Sequence, residues 1–221
     1  MMRMVRSLAA AAVLAAVPAL AQVAPDPAKT AEVVAGRVAE ARASWWGFNP
    51  EDATASLQAA IDSKVPKLIV DNLGKPWVVE PITLVSDQES VFEDGVEVVA
   101  KAGSLKGTND SLFRADNCRN ITLRGTNATL RMRRADYDDP AQYKRAEWRH
   151  SLSFRSCTNI KVYGLTLLES GGDGIYLGTA TRWVTNKDIH IKDVICDRHY
   201  RQGISVITAE NLLIENRSEE R

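Results

Sequence analysis

Residues able to move protons or neutralise a carboxylate gather between positions 173 and 202 of this 221-residue sequence: Asp173, Asp197, His199, Tyr200, Arg201 and Gln202. An arginine next to a proton acceptor and a proton donor suits a substrate that carries a carboxylate. The guanidinium pairs with the anion, and His199 or Tyr200 handles the proton. Asp173 and Asp197 also offer the oxygen ligands that Ca²⁺ prefers, so a calcium ion held by this pair is a second source of positive charge. Asp173, His199 and Arg201 are therefore the candidate catalytic residues, and Asp173 and Asp197 the candidate metal ligands. The competing reading is a set of polar turn residues with no chemical role.

A second group lies upstream. Segment 131–149 holds six basic residues (Arg131, Arg133, Arg134, Lys144, Arg145, Arg149) and four acidic ones (Asp136, Asp138, Asp139, Glu147), with Tyr137, Tyr143 and Trp148 interleaved. Aromatic faces pack on apolar ring faces, and arginine pairs bidentately with carboxylates. Tyr137, Tyr143 and Trp148, together with Tyr176 and Gln202, are the expected substrate contacts. The alternative is a charged surface loop whose aromatics pack down on the body of the protein. Nucleic acid is a poor partner. Acids largely offset bases in this segment, and over the whole chain 28 Lys and Arg balance 28 Asp and Glu, so there is no global positive field.

These residues need elements to position them. Residues 1–21 stand apart: Arg3 and Arg6 precede a short apolar run from Leu8 to Val17, then Ala19-Leu20-Ala21. That is the pattern of a cleaved secretory signal peptide, and the run is short for a retained membrane anchor. A secreted or periplasmic mature chain beginning near Gln22 is expected, with no membrane span after cleavage. Residues 22–44 read as a linker with a helix over 30–43. Asp52 to Ser63 reads as a short amphipathic helix, with Asp52 or Thr54 as cap and Leu57, Ala60 and Ile61 on one face. From Pro66 onward the period is that of short β-branched strands punctuated by Gly, Asp and Asn.

Internal repeats choose among the all-β architectures. Asn120-Ile-Thr-Leu-Arg-Gly125 recurs as Asn159-Ile-Lys-Val-Tyr-Gly164, Asp188-Ile-His-Ile-Lys-Asp193 and Asn211-Leu-Leu-Ile-Glu-Asn216, at intervals of 39, 29 and 23 residues. A parallel set starts at Asp110, His150, Asp173 and Gln202, at intervals of 40, 23 and 29. The bare coil is thus 23 residues, and the longer intervals carry insertions. His199 and Arg201 are expected on the six-residue one. The alignment yields apolar columns: Ile121, Ile160, Ile189, Leu212; Leu123, Val162, Ile191, Ile214; and Leu112, Leu152, Ile175, Ile204. Stacked coils about 4.8 Å apart would bury such columns, as in a parallel β-helix. Cys118 and Cys157 share a column, so a disulfide between them or a pair of buried thiols both fit. Cys196 aligns with Leu167 as a core residue.

With these motifs, residues 45–216 resemble the right-handed parallel β-helix proteins of the pectin-lyase-like superfamily. Asp52–Asp62 looks like that family's N-terminal capping helix. Gly172-Asp-Gly-Ile-Tyr-Leu177 and Arg201-Gln-Gly-Ile-Ser-Val206 look like its later coils. The resemblance implies an all-β solenoid over 45–221 and an exported protein that binds or acts on an acidic polysaccharide, as a lyase or a hydrolase. A non-catalytic β-helix or an inactive truncated fragment is the alternative. The polygalacturonase branch is expected to show paired acids after a glycine, an Asn-Thr-Asp and a His-Gly. This chain has only Asp173 within Gly172-Asp173-Gly174, which disfavours that branch. Arg217 stands where the column Leu165, Val194 calls for an apolar residue, so further coils are expected beyond Arg221.

Overall fold

The computed structural model describes residues 22–220. The expected signal peptide, 1–21, lies outside them. The repeats build a parallel β-helix. Each coil alternates short strands with turns, and among the described residues like strands of successive coils stack into three faces. Face 1 runs through Glu40–Arg42, Lys67–Val70, Gln88–Phe92, the first halves of Arg119–Arg131 and Thr158–Leu168, Asn186–Lys192 and Ala209–Glu215. Face 2 runs through Trp77–Val79, Glu97–Ala100, the second halves of the same two long strands, Ile195–Asp197 and Ser218–Glu220. Face 3 is a separate sheet of Ile82–Thr83, Phe113–Asp116, Leu152–Arg155, Ile175–Gly178 and Ile204–Val206.

The core is the set of columns inside these faces. Ile121, Ile160, Ile189 and Leu212 stand in register, as do Leu123, Val162, Ile191 and Ile214. At the N-terminal end the first of these columns is continued by Gln88. Its buried amide donates to the carbonyls of Ile61 and Val65, at 3.2 and 3.0 Å. Those carbonyls lie at the end of helix Thr54–Asp62, so Gln88 supplies partners that a helix C-terminus otherwise lacks. That helix closes the first coil with Leu57, Ala60 and Ile61 buried. Asp52 serves its N-terminus, accepting from the Thr54 N–H at 3.1 Å and the Thr54 hydroxyl at 2.6 Å.

Three expectations are corrected. The N-terminal helix covers Pro27–Val34, not 30–43, because Asp26 caps it and Pro27 begins it. Glu40–Arg42 is already a strand of face 1, paired with Lys67–Ile69. The third apolar column begins with Phe113, not Leu112, since Phe113 pairs with Leu152. That one-residue shift makes the first interval 39 on face 3 as on face 1, because the long connection 132–151 falls inside both intervals. Asp110 therefore does not stand in the column of His150, Asp173 and Gln202; Ser111 does. Lastly, the six-residue insertion is not near His199. Leu168 pairs with Asp197 and Ile175 with Ile204, so the turns before and at His199 have equal length. The extra residues fall between Gly178 and Asn186.

Turns are held by side-chain ladders. Asp87, Asn120, Asn159, Asp188 and Asn211 all have φ between 54° and 64°, the left-handed region that Asn and Asp tolerate best. Asn120 donates to Asp87 at 2.7 Å, Asn159 to Asn120 at 2.8 Å and Asn211 to Asp188 at 2.9 Å. Each amide thus bonds its counterpart one coil away. At the next corner Gly164 has φ 67°, and a Cβ there would sit 2.2 Å from the Gly125 carbonyl oxygen, so only glycine lets these coils stack. No disulfide joins Cys118, Cys157 and Cys196. Burial pushes the Cys157 thiol up to about 12.

Asn159→Ala should lower unfolding stability by about 1–2 kcal/mol, since it loses a hydrogen bond and keeps a left-handed φ. Asn159→Gly should cost less, because it removes the bond but not the fit to that φ. Urea unfolding of both variants checks the order; equal losses would remove the conformational part of the argument.

Candidate functional site

Alternation along face 3 decides which side chains leave the core. Phe113, Ala115, Leu152, Phe154, Ile175 and Leu177 point inward and are buried. Arg114, Asp116, Ser153, Arg155, Tyr176 and Ser205 occupy the outward positions between them. The long connections all border this face: 101–112 and 132–151 lead into it, and 179–185 leads away. The outward side chains form a floor and these connections its walls.

The floor is electropositive. Arg155 meets both oxygens of Asp116, with Nε at 2.7 Å and Nη2 at 2.8 Å. Arg114 adds Nε at 2.8 Å to the same carboxylate. Two guanidiniums on one carboxylate leave a surplus positive charge. The side chains of Arg114 and Arg155 are 38% and 24% exposed, so their charge is reachable from solvent. Sequence reading missed all three residues: a column that starts at Leu112 puts Arg114 and Asp116 on the inward side, and only the pairing of Phe113 with Leu152 turns them outward.

Upstream of the floor, a polar cluster lies beneath the turns between faces 2 and 3. Asp173 is buried. Its Oδ1 accepts the Gln202 N–H at 3.2 Å and lies 3.5 Å from Arg201 Nε. The His150 Nδ1 sits 3.2 Å from Oδ2 and 3.0 Å from the Asp173 backbone nitrogen. A neutral ring accepts from that N–H, and a ring protonated at Nδ1 donates to the carboxylate. Burial alone would raise the Asp173 carboxyl, but bonds from His150, Ser205 and Gln202 hold it below the usual carboxylate range. Tyr176 stacks flat on His150, centroids 4.4 Å apart at 9°, and covers this pair.

His199 is also buried. Its Nδ1 lies 2.8 Å from Ser170 Oγ and accepts the Ser170 N–H at 3.3 Å. Its Nε2 has no hydrogen-bond partner among the described residues. That nitrogen faces Gly174, where a Cβ would come within 2.6 Å of it and of the Gly203 carbonyl. Glycine at 174 is what lets the two turns close on each other. Burial pushes the imidazole down to about 4, so His199 is neutral at pH 7 and packs between turns, not on the groove surface.

The remaining candidates separate. Arg201 and Gln202 are exposed beside Asp173. Asp197 lies at the end of a face 2 strand and is engaged by Arg198. Of the expected calcium pair, the Asp173 oxygens are engaged by Gln202, His150 and Arg201, and no group of three His, Cys, Asp or Glu suited to a metal occurs among the described residues. Tyr137 and Tyr143 are buried, correcting their expected place on a groove wall. Their rings pack edge to face at 5.1 Å and flank the buried guanidinium of Arg149 at 5.3 and 5.4 Å. Arg149 in turn binds the carbonyls of Leu105 and Lys144, both at 2.9 Å. A buried guanidinium needs such acceptors, and it drew the tyrosines inward as its packing. Trp148 stays 47% exposed, and on the opposite wall Trp183 is 87% exposed. That wall is tied down by Ser156, whose Oγ accepts from Ala180 and Thr181 at 3.0 and 3.1 Å and donates to the Val184 carbonyl at 2.7 Å.

The buried imidazole has a consequence for stability. Its folded value near 4 lies below the unfolded value near 6.5. The unfolded chain therefore binds the proton first, and stability falls as pH drops from about 6.5 to about 4. The loss attributable to His199 is on the order of 3 kcal/mol. Asp173 contributes its own loss lower, as pH falls below the ordinary aspartate value. Urea unfolding of His199→Gln across pH 7 to 4 should show a flatter profile than wild type; parallel profiles would place the titration elsewhere.

No protein-family model and no curated protein matches the chain. Solved structures do resemble it. A candidate glycosyl hydrolase from Parabacteroides merdae aligns at TM-score 0.56 and 17% identity, over 81% of this chain and 95% of that one. An ι-carrageenase complexed to ι-carrageenan fragments aligns at 0.62 and 16%, over 79% of this chain and 40% of that one. The polygalacturonase from Erwinia carotovora ssp. carotovora aligns at 0.51 and 14%, over 76% and 60%. At such identities the likeness speaks for architecture alone, and with the three stacked faces it shows that this chain has a right-handed parallel β-helix fold.

Proposed function

We propose that this protein is exported, binds an acidic polysaccharide in the groove over face 3, and acts on it as a lyase or hydrolase. The observation that carries this reading is the floor, where Arg114 and Arg155 share the single carboxylate of Asp116 between walls bearing exposed Trp148 and Trp183. A carboxylate or sulfate on a sugar can compete for those forks, and indole faces suit the apolar faces of pyranose rings. The names of the three similar structures, a glycosyl hydrolase, a carrageenase and a polygalacturonase, support saccharide polymers as the ligand class. In this reading Arg201 neutralises the substrate anion, Asp173 and His150 supply the proton-handling pair under Tyr176, and His199 positions the Asp173 turn through Ser170.

Binding without turnover is the second reading, and a specific observation favours it. Glycoside hydrolysis ordinarily needs two carboxyl groups facing the scissile bond, about 5–9.5 Å apart. Asp116 is clamped by two arginines, and Asp173 is only 1% exposed.

Calorimetric titration of the mature protein with oligogalacturonate and carrageenan fragments, with dextran as neutral control, tests the proposal. Anionic oligomers should bind and dextran should not. Arg155→Ala should weaken binding about ten-fold or more, the scale of a charge-assisted pair. Unsaturated product absorbance or new reducing ends would mark the lyase or hydrolase; binding without either supports the second reading. No binding to either anionic oligomer, or full affinity in Arg155→Ala, would overturn both.

A further inference from the structure

The outward side of face 1 carries a second set of titratable groups, away from the groove. The register puts Arg124, Tyr163, Lys192 and Glu215 in one outward column and Lys161 and His190 in the column beside it. Diagonal neighbours across these columns meet. The Tyr163 hydroxyl lies 2.8 Å from His190 Nδ1, and His190 Nε2 lies 2.9 Å from Glu215 Oε1. The rings of Tyr163 and His190 pack edge to face at 5.0 Å. A carboxylate can only accept here, so Nε2 carries the ring proton and Nδ1 presents its lone pair to the phenol.

This is the arrangement of a nucleophile, a base within hydrogen-bond reach of it, and a third group orienting the base. Burial raises the Tyr163 phenol, so it stays protonated at neutral pH and depends on a base to react. The bond from His190 lowers the Glu215 carboxyl, which keeps it ionised behind the imidazole. Lys192 flanks Tyr163 on the neighbouring strand and favours developing negative charge on its oxygen, while Arg124 on the other side is engaged by Glu89. Tyr163 also lines a cleft of about 650 Å³ at the bend between faces 1 and 2. Its walls bear Asp94, Arg124, Thr126, Asn127, Thr166 and Asp193, a hydrogen-bonding lining suited to a hydroxylated compound.

We propose that Tyr163, His190 and Glu215 form a second reactive centre, in which an activated phenol attacks the acyl ester of a hydroxylated compound seated in this cleft. The Tyr163 oxygen bonds to the acyl carbon as its proton passes to His190 Nδ1, and Glu215 stabilises the imidazolium through Nε2–H. The tetrahedral adduct collapses, the carbon–oxygen bond to the alcohol breaks, and the alcohol leaves with the proton from His190. Water then attacks the aryl ester, giving its proton to the imidazole, which returns it to the departing phenolate and releases the carboxylic acid. The centre is independent of the groove on face 3.

An arylsulfonyl fluoride tests the activation directly, since a nucleophilic phenol forms the sulfonate ester with loss of fluoride. Peptide mass spectrometry on the intact wild-type protein should find Tyr163 labelled at least about ten-fold faster than half-buried Tyr176 and Tyr200, within the range a positioned base supplies. In His190→Gln the Tyr163 rate should fall to theirs, with Glu215→Gln in between. p-Nitrophenyl acetate should acetylate Tyr163 and turn over, and Tyr163→Phe should hydrolyse it at the buffer rate. Labelling of Tyr163 no faster than the other tyrosines in wild type overturns the proposal, and that comparison needs no variant. An unchanged Tyr163 rate in a folded His190→Gln would overturn it as well.

Discussion

Backbone hydrogen bonding between successive coils is the constraint on which everything else in this molecule rests. A parallel ladder admits one register at a time, and a slip of one residue would turn every inward side chain outward. Once Ile121 faces Ile160 and Leu123 faces Val162, the interior columns, the outward columns and the corners follow together. The corners then demand left-handed backbone at the same place in each coil, which is why Asp87, Asn120, Asn159, Asp188 and Asn211 recur there and bond one another. Gly164 answers the same demand where the Gly125 carbonyl leaves no room for a Cβ.

Insertions are tolerated only where the ladder is interrupted, at the turns. Here they collect around face 3, and the price is a set of buried polar groups that need partners. Arg149 meets carbonyls and two tyrosine rings, Asp173 meets His150, Gln202 and Ser205, and His199 meets Ser170 through Nδ1, while Arg149 Nη1 and His199 Nε2 stay without a hydrogen-bond partner among the described residues. These groups shape the groove wall from beneath. The groups that a ligand would meet are the outward residues of the strands themselves, Arg114, Asp116, Arg155 and Tyr176.

Stacking also brings chemically different residues together from positions far apart in the chain. In a column of identical residues the result is a ladder, as with the asparagines. Where the column is mixed, acids, bases and aromatics become neighbours, directly opposite as in Arg155 with Asp116 on face 3 or diagonal as in His190 between Tyr163 and Glu215 on face 1. A β-helix can thus carry separate polar constellations on separate faces without disturbing its core, because the inward and outward columns are independent.

The amino-acid sequence by itself determined the solenoid, its capping helix and the inward columns. Apolar identity repeated in register is a strong signal, because burial tolerates few alternatives. It also placed Gln202 beside Asp173, since adjacent coils align by count. The sequence did not determine the start of the third column, where Leu112 and Phe113 are both apolar and only the pairing with Leu152 distinguishes them. Nor did it determine the fate of the polar candidates. Asp173, His199, Tyr137 and Tyr143 are residue types equally at home on a groove wall or under a turn. Whether a turn folds over them depends on contacts such as Gly174 against His199 and Arg149 between two rings, which are made by residues distant in sequence. The outward columns were unreadable for a related reason: solvent imposes no common chemistry on them, so Arg114, Asp116, Arg155, Tyr163, His190 and Glu215 form no repeat, and only the tertiary register shows which of them meet.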